Sequence, residues 1–247
     1  MVFIVITTSN GFAKNYDLGV EEGDQFIWKC EILDKEKMED LFGKNWNSNG
    51  TGLFEELEEG TQMKLIIRET DEDKIIYNQE SHKNEEFLCL TFKKWLWTDN
   101  DNWGNRDYVD QIMHYSDPKH YPDDLIFPNI APIWLPIPID DYLKEMDLYE
   151  GYSIDARSVS FISCEIEKND LEGDYPTEYV KMEAIYNDQG ILRSYKLYVR
   201  DHQIIVEILL ENSFDFLPTI IEIFIPVIIA IFYIGLIYLI YKKILIG

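Results

Sequence analysis

The chain has 247 residues, of which 46 are acidic and 22 are basic, so its formal net charge at neutral pH is −24. This charge excludes the nucleic-acid-binding class, because binding to a phosphate backbone requires a basic face. Between its two terminal segments the chain retains about 200 residues, enough for one well-filled core.

The first residues, MVFIVITTSNGFAK, resemble the second half of a secretory signal peptide. An apolar run is followed by small residues, with Gly11 and Ala13 at positions −3 and −1 of a cleavage point. The positive start of such a peptide is missing, and a β-branched run also suits an edge strand. We therefore interpret residues 1–13 as the remnant of a signal peptide or as an edge strand.

Nineteen consecutive residues near the other end, 223–241, carry no charge. As a helix they would extend roughly 28 Å, close to the roughly 30 Å hydrocarbon thickness of a bilayer. A buried core helix is the alternative, but one apolar on every face is rare in a soluble domain. We predict a transmembrane helix over 223–241.

The flanks of this segment predict its orientation. Lys242 and Lys243 follow it, whereas the twenty residues before it contain no Lys or Arg. Positive residues stay on the cytoplasmic side, so we expect a type I cell-surface protein anchored in the membrane. The alternative is a tail-anchored protein with a cytosolic domain. The expected parts are an acidic extracellular domain over 14–211, a juxtamembrane connection over 212–222, the span, and a cytoplasmic tail over 242–247.

The region between the ends reads as strands and short helices. About eight segments alternate apolar and polar residues, among them MKLIIRE and DKIIYNQ, which the polar turn ETDED separates. EAIYNDQGILRSY gives the clearest hairpin. DKEKMEDLFGK predicts a helix capped by Asp34 and closed by Gly43, and IPIDDYLKEMDLY predicts a second helix capped by Asp140.

Without regular βαβ alternation, this order predicts an α+β, mostly β fold. We expect a curved, partly closed antiparallel sheet of about eight strands with one or two short helices, followed by the C-terminal transmembrane helix. Cys30 and Cys164 alternate with apolar residues and are predicted to be buried thiols. With three cysteines in the chain, one disulfide at most would form, and Asn49 begins a glycosylation sequon.

The stretch TDNDNWGNRDYVDQ is a candidate Ca²⁺ site and the only cofactor site that we predict. Four carboxylates and a central glycine fit the spacing of a calcium loop. Trp103 stands where an oxygen ligand is needed, and Asp/Asn/Gly clusters are also typical of ordinary loops. The four candidate ligands are Asp99, Asp101, Asp107 and Asp110.

Metal-dependent hydrolysis is an alternative that depends on His114 and His120. These two histidines lie six residues apart and could bind zinc together with a carboxylate. Two prolines in the same stretch also favour a plain surface loop. No nucleophile elbow, P-loop or dinucleotide motif is present, so we predict no catalytic residues.

The segment PNIAPIWLPIPIDDY is apolar but broken by prolines. It is predicted to pack across the open face of the sheet, either simply closing the core or walling a groove. In the second case the groove would bind a lipid or another apolar ligand, with Trp28, Trp97 and Trp134 as the candidate lining residues.

Three stretches, YDLGVEEGDQFIWKCEIL, EEGTQMKLIIRE and PVIIAIFYIGLIYLIYKK, together resemble single-pass surface proteins of Asgard (Lokiarchaea-like) archaea, a family without an assigned activity. The resemblance implies an opening strand after a signal peptide and a C-terminal anchor. The β-rich domain is also similar to bacterial lipoprotein-carrier half-barrels, which hold lipid in a concave sheet.

The sequence therefore predicts a non-catalytic binding or surface-organising domain. The alternatives from other classes are a membrane-anchored metal-dependent hydrolase and a cation-sensitive structural or adhesion domain. The expected partners are the membrane and an apolar ligand, with no nucleic acid, and the sequence identifies no protein partner.

Overall fold

The computed structural model describes most of the chain before residue 212. The described residues are 16–48, 52–79, 82–98, 103, 109–121, 131–148, 150–155, 160–169, 171, 175–199 and 202–211. The chain divides into two compact units, residues 1–211 and 212–247, and all described residues belong to the first.

Several sequence predictions lie outside the described residues. They concern residues 1–13, Asn49, and the proposed connection, span and tail over 212–222, 223–241 and 242–247. No helix in the described part of the chain has the length and hydropathy needed to cross a membrane.

Nine strands make up one antiparallel sheet in the described part of the chain. In spatial order the strands run β4, β3, β2, β1, β9, β8, β7, β6, β5. Their bounds are Gln25–Leu33 (β1), Gln62–Asn78 (β2), Lys83–Thr98 (β3), Val109–Tyr115 (β4), Tyr152–Asp155 (β5), Ser160–Ile166 (β6), Val180–Tyr186 (β7), Leu192–Val199 (β8) and Gln203–Leu210 (β9).

Among the described residues, two α-helices accompany the sheet, α1 over Lys35–Phe42 and α2 over Ile139–Glu145. Two short 3₁₀ turns cover Gly52–Phe54 and Pro118–His120. The mostly β, antiparallel α+β prediction is therefore confirmed. The predicted partial closure is not: the sheet is open, with β4 and β5 at opposite ends of the strand order.

The strand count of about eight differs from the observed nine for two reasons. The polar stretch ETDED is not a turn, because β2 continues through it while pairing with β3. At the register shifts Ile67/Glu69 and Asp71/Lys74, β2 has one residue more than the paired part of β3, and the extra residue is accommodated as in a β-bulge. The sequence also did not predict the edge strands β4 and β5, the first of which lies where a loop was expected.

Local signals led to correct predictions for several other elements. Asp34 caps α1 by accepting a hydrogen bond from the Lys37 amide, and Gly43 ends the helix at a positive φ. The prediction for α2 was wrong in its cap: Pro138 precedes the helix, and Asp140 lies in its first turn. There the Asp140 carboxylate still favours the helix by interacting with the positive end of its dipole.

Residues 131–138, which we call the strap, belong to the apolar, proline-broken segment. They lie against the sheet, as the sequence predicts. The Leu135 amide donates to the Gly190 carbonyl oxygen, and the Leu192 amide donates to the Ile133 carbonyl oxygen, both at 2.9 Å. At its far end, Ile137 exchanges two 2.9 Å backbone hydrogen bonds with Asp17. The strap is thus bonded both to the β7–β8 turn and to residues 16–24, which we call the N-terminal segment. Its apolar residues, together with those of α1 and α2, belong to the same core cluster as the sheet.

The β7–β8 turn needs a glycine where it meets the strap. Gly190 has φ +81°, a left-handed conformation that is costly for other residues. A β-carbon at this position would also overlap the carbonyl oxygen of Leu135. Gly60 has a similar φ of +79°, but a β-carbon there would meet no atom within 4 Å. A comparison of alanine substitutions at the two glycines therefore separates the cost of the backbone conformation from the cost of overlap with the strap.

We predict that Gly190→Ala destabilises the protein by at least about 2 kcal/mol more than Gly60→Ala, since the conformational cost is about 1–3 kcal/mol in both variants. The additional loss comes from displacement of the strap. Urea unfolding of the two variants beside the wild type provides the measurement. Equal destabilisation would show that the strap can move away from Gly190 at little cost.

Candidate functional site

An apolar pocket lies between the strap and strands β2, β3 and β4. Its volume is about 230 Å³, and it is partly open to solvent. For scale, an apolar cavity of about 150 Å³ holds a benzene molecule. The described lining consists of Gly52, Leu53, Met63, Phe92, Lys94, Asp110, Ile112, Ala131, Pro132 and Ile133.

Strand alternation explains how the sheet supplies its wall. Successive side chains point to opposite faces of a strand, so Phe92 and Lys94 share one face of β3. Register places Asp110 of β4 opposite Phe92, and Ile112 opposite Leu90. Met63 of β2 is almost fully buried on the same side. The remaining walls come from the strap and from the 3₁₀ turn over Gly52–Phe54.

A small charge cluster stands at the pocket. The Lys94 ammonium nitrogen lies 3.7 Å from a Glu55 carboxylate oxygen and 3.8 Å from a carboxylate oxygen of Asp110. The side chain of Lys94 is only 12% exposed, whereas that of Asp110 is 39% exposed. The pocket therefore combines a largely apolar lining with one half-buried ion-pair cluster.

The three tryptophans proposed from sequence are buried, and the described lining of the pocket contains none of them. Their assignment to a ligand stays a prediction. What the structure gives each of them is a hydrogen bond from its indole N–H to a backbone carbonyl oxygen. The pairs are Trp28 with Leu192 at 2.7 Å, Trp97 with Leu53 at 3.1 Å, and Trp134 with Leu18 at 2.8 Å.

Two of these bonds position the walls of the pocket. Trp97 binds the carbonyl of Leu53, which is itself a lining residue. Trp134 follows directly after the three strap residues of the lining, and its indole fastens the strap to the N-terminal segment. An indole N–H that is buried needs an acceptor, so each ring is fixed in orientation as well as in depth.

His114 of β4 lies next to the strap and is buried. Its Nε2 lies 3.0 Å from the Trp134 carbonyl oxygen, and its Nδ1 lies 2.7 Å from the Tyr121 hydroxyl. A carbonyl oxygen only accepts, so Nε2 carries the proton and Nδ1 accepts from Tyr121. The Tyr142 hydroxyl donates to the Tyr115 carbonyl oxygen at 2.6 Å beside it. His114, Tyr121 and Tyr142 form a hydrogen-bonded polar cluster in the apolar core, which we call the polar island.

Burial dominates the electrostatics of this island. It lowers the pKa of His114 to about 4, against a weaker opposing effect of the hydrogen bond to the Trp134 carbonyl. Burial also raises the pKa of Tyr121 and of Tyr142. At neutral pH the histidine is therefore uncharged and both tyrosines keep their protons, which the observed donor and acceptor roles require.

The metal candidates are placed as follows. His120 is exposed and stacks on Tyr115, whereas His114 points into the core, where both of its nitrogens are already engaged. Asp110 lies on β4 rather than in a loop, while Asp99, Asp101 and Asp107 lie outside the described residues. Within the described ranges, no three His, Cys, Asp or Glu side chains are grouped so that they could hold a metal ion.

The cysteines are buried as predicted for Cys30 and Cys164, and Cys89 is buried as well. All three are free thiols. Burial raises the pKa of the Cys30 thiol to about 12, so its reactive thiolate form is scarce at neutral pH.

Comparisons with protein-family models, with curated proteins and with solved structures find no match to this chain.

Sequence reasoning anticipated the strap but not the residues that line the pocket with it. The alternation of Phe92 and Lys94 was readable in EFLCLTFKKW, and it placed a lysine on the apolar face of β3. A charged residue at such a position is the available signal, because buried lysines are rare unless paired. Ile112 gave no usable signal, because the stretches on either side of it, residues 98–111 and 114–124, are predicted as loops.

We predict that His114 makes the protein less stable as the pH falls. The unfolded state binds a proton with a pKa near 6.5 and the folded state with a pKa of about 4, so stability rises with pH between these values. Between about pH 7 and about pH 5.5 the wild type should lose roughly 1 kcal/mol more than His114→Gln, which cannot titrate. This range stays above the isoelectric point of about 4.4.

Urea unfolding of both proteins at the two pH values makes this comparison. Carboxylates that titrate in the same range are present in both, so their contribution cancels in the difference. The glutamine of the variant retains an amide that can donate to the Trp134 carbonyl oxygen. Parallel pH profiles would contradict the assignment of a neutral, buried His114.

Proposed function

We propose that this chain is a membrane-anchored, non-catalytic cell-surface domain that holds a small apolar molecule in the pocket beneath the strap. The observation that carries the proposal is the apolar pocket of about 230 Å³ between the strap and strands β2 to β4. Its volume suits one ring system or one short acyl chain of a lipid.

The chemistry of the lining supports an apolar ligand. Met63, Phe92, Ile112 and Ile133 contribute aliphatic or aromatic surface. Burying a ligand methylene against such surface is favourable by about 0.8 kcal/mol. Ligand sites of this type combine apolar walls with a few polar groups that fix orientation. Lys94 and Asp110 are placed to supply the polar part.

The construction of the pocket also supports binding. An apolar wall that could move freely would collapse onto the sheet and fill the space. The strap is instead fixed from Ile133 onward by its backbone hydrogen bonds and by the Trp134 indole. A wall held in this way keeps a preformed cavity, which lowers the ordering cost of binding.

The membrane part of the proposal rests on the sequence. Lys242 and Lys243 follow the uncharged segment 223–241, whereas the twenty residues before it carry acidic but no basic side chains, which favours an extracellular domain. The resemblance to archaeal surface proteins supports the same interpretation. An open sheet covered by a strap is a suitable architecture for an apolar ligand.

We predict that Ile112→Trp strongly weakens binding in the pocket and that Met113→Trp does not. The two residues are neighbours on β4 and point to opposite faces; Ile112 lines the pocket and Met113 is 41% exposed. Binding of the neutral probe N-phenylnaphthylamine to the full chain should weaken at least about tenfold in the first variant only, because the new indole fills the cavity.

Methionine methyl NMR gives this measurement a site-specific signal. Full-length protein labelled at its six methionine methyl groups reports on Met63 in the pocket and on Met113 outside it. The probe should shift the Met63 resonance and leave that of Met113 in place, even if some probe associates with other apolar segments. The buried Met38 and Met182 show whether each variant is folded. A Met63 resonance that the probe does not move would contradict the proposed function.

We predict for the topology that protease added to intact cells removes the domain and leaves a tag placed after Gly247 protected. This follows from an external domain and a cytoplasmic tail. Immunoblotting with antibodies to the domain and to the tag gives the readout, with lysed cells as the control. A domain that becomes sensitive only after lysis would indicate the tail-anchored alternative with a cytosolic domain.

A further inference from the structure

The charge cluster at the pocket narrows the kind of ligand that fits it. Resting on the proposed function, we propose that the pocket takes an uncharged amphiphile, a molecule with an apolar body and a carbonyl or hydroxyl oxygen that accepts a hydrogen bond from Lys94. The inference concerns the head of the ligand, whereas the proposed function concerns its apolar body.

Lys94 is placed to donate a hydrogen bond to a ligand in the pocket. Its side chain is 12% exposed and belongs to the lining of the pocket. The nearest carboxylate oxygens, on Glu55 and Asp110, stand 3.7 Å and 3.8 Å from the ammonium nitrogen. Both separations exceed the roughly 2.7–3.2 Å typical of a hydrogen bond to nitrogen. These carboxylates therefore neutralise the charge of Lys94 without occupying its N–H donors.

The charges of Lys94, Glu55 and Asp110 together favour a ligand with an uncharged head. One ammonium group and two carboxylates leave one excess negative charge at the pocket, on a chain whose net charge is −24. An anionic head would gain Lys94 but meet two like charges as well, and it would lose hydration on entry. A cationic head would lie beside the ammonium group and would have to compete with Lys94 for the same two carboxylates.

An uncharged oxygen avoids both penalties. It can accept a hydrogen bond from the Lys94 ammonium group while Glu55 and Asp110 keep their places. Hydrogen bonds from charged donors are stronger than neutral ones, particularly in a poorly hydrated site. The apolar body would then extend over Phe92, Ile112 and the strap. The site thus selects by hydrogen bonding at one end and by apolar contact at the other.

Three ligands with bodies of the same length test this inference. They are hexyl methyl ketone, octanoate and octylammonium, each titrated into the full chain while the Met63 methyl resonance is followed. We expect the ketone to bind at least about fivefold more tightly than either ion. Tighter binding of octanoate or octylammonium would overturn the inference but leave the proposed function standing. If none of the three moves the Met63 resonance, the proposed function fails as well.

Asp110→Asn provides a second test, because it removes the excess negative charge and nearly preserves shape. Octanoate binding should tighten by about fivefold relative to ketone binding in this variant, because only the ion is repelled by the carboxylate. The matched control is Asp73→Asn, which changes the net charge equally on an exposed part of β2, on the order of 30 Å along the strand from Met63. No gain for octanoate in Asp110→Asn, or an equal gain in both variants, would contradict the assigned role of the pocket charges.

Discussion

Trp134 is the residue on which the arrangement of the strap depends. Its carbonyl oxygen accepts from His114 of β4, its indole donates to the Leu18 carbonyl, and its backbone forms a bridge with Ile191. The strap contains prolines and cannot join the sheet as a regular strand, yet its buried polar groups must find partners. These three connections satisfy them from three different parts of the chain. Breaking one would leave a buried donor or acceptor without a partner, which costs more than a typical hydrogen bond contributes.

The pocket follows from how the strap is held. Apolar contact alone would favour closing the space between the strap and the sheet, since a close-packed interior is more stable than a void. Directional hydrogen bonds that involve Trp134, Gly190 and Leu192 instead fix the distance between the strap and the sheet. On the other wall, the Trp97 indole holds Leu53 in the same manner. The polar island around His114 is therefore a supporting structure of the pocket, and its neutrality at physiological pH belongs to that role.

The sequence predicted the elements whose signals are local. The alternation around Trp28, the cap at Asp34 and the β7–β8 turn at Gly190 all depend on neighbouring residues, and all three are found. It failed where distant pairing decides the outcome. The stretch ETDED reads as a turn but is kept extended by its pairing with β3, and β4 was missed because an edge strand is specified by its partner. The pocket combines residues from β2, β3, β4, a 3₁₀ turn and the strap, so its lining could not be derived before the topology was known.

The electrostatic design of the pocket acts at two distances. Far from the protein, the field of a strongly acidic chain disfavours anions, although salt screens this effect beyond about 8 Å at physiological ionic strength. Within the pocket, screening is weaker, and a cation would have to compete with Lys94 for the carboxylates of Glu55 and Asp110. A neutral molecule experiences neither repulsion, and it alone gains a hydrogen bond without disturbing the pairing of Lys94 with Glu55 and Asp110. In the proposed site, the acidic surface therefore disfavours anions, and Lys94 already pairs with the two carboxylates that a cation would need.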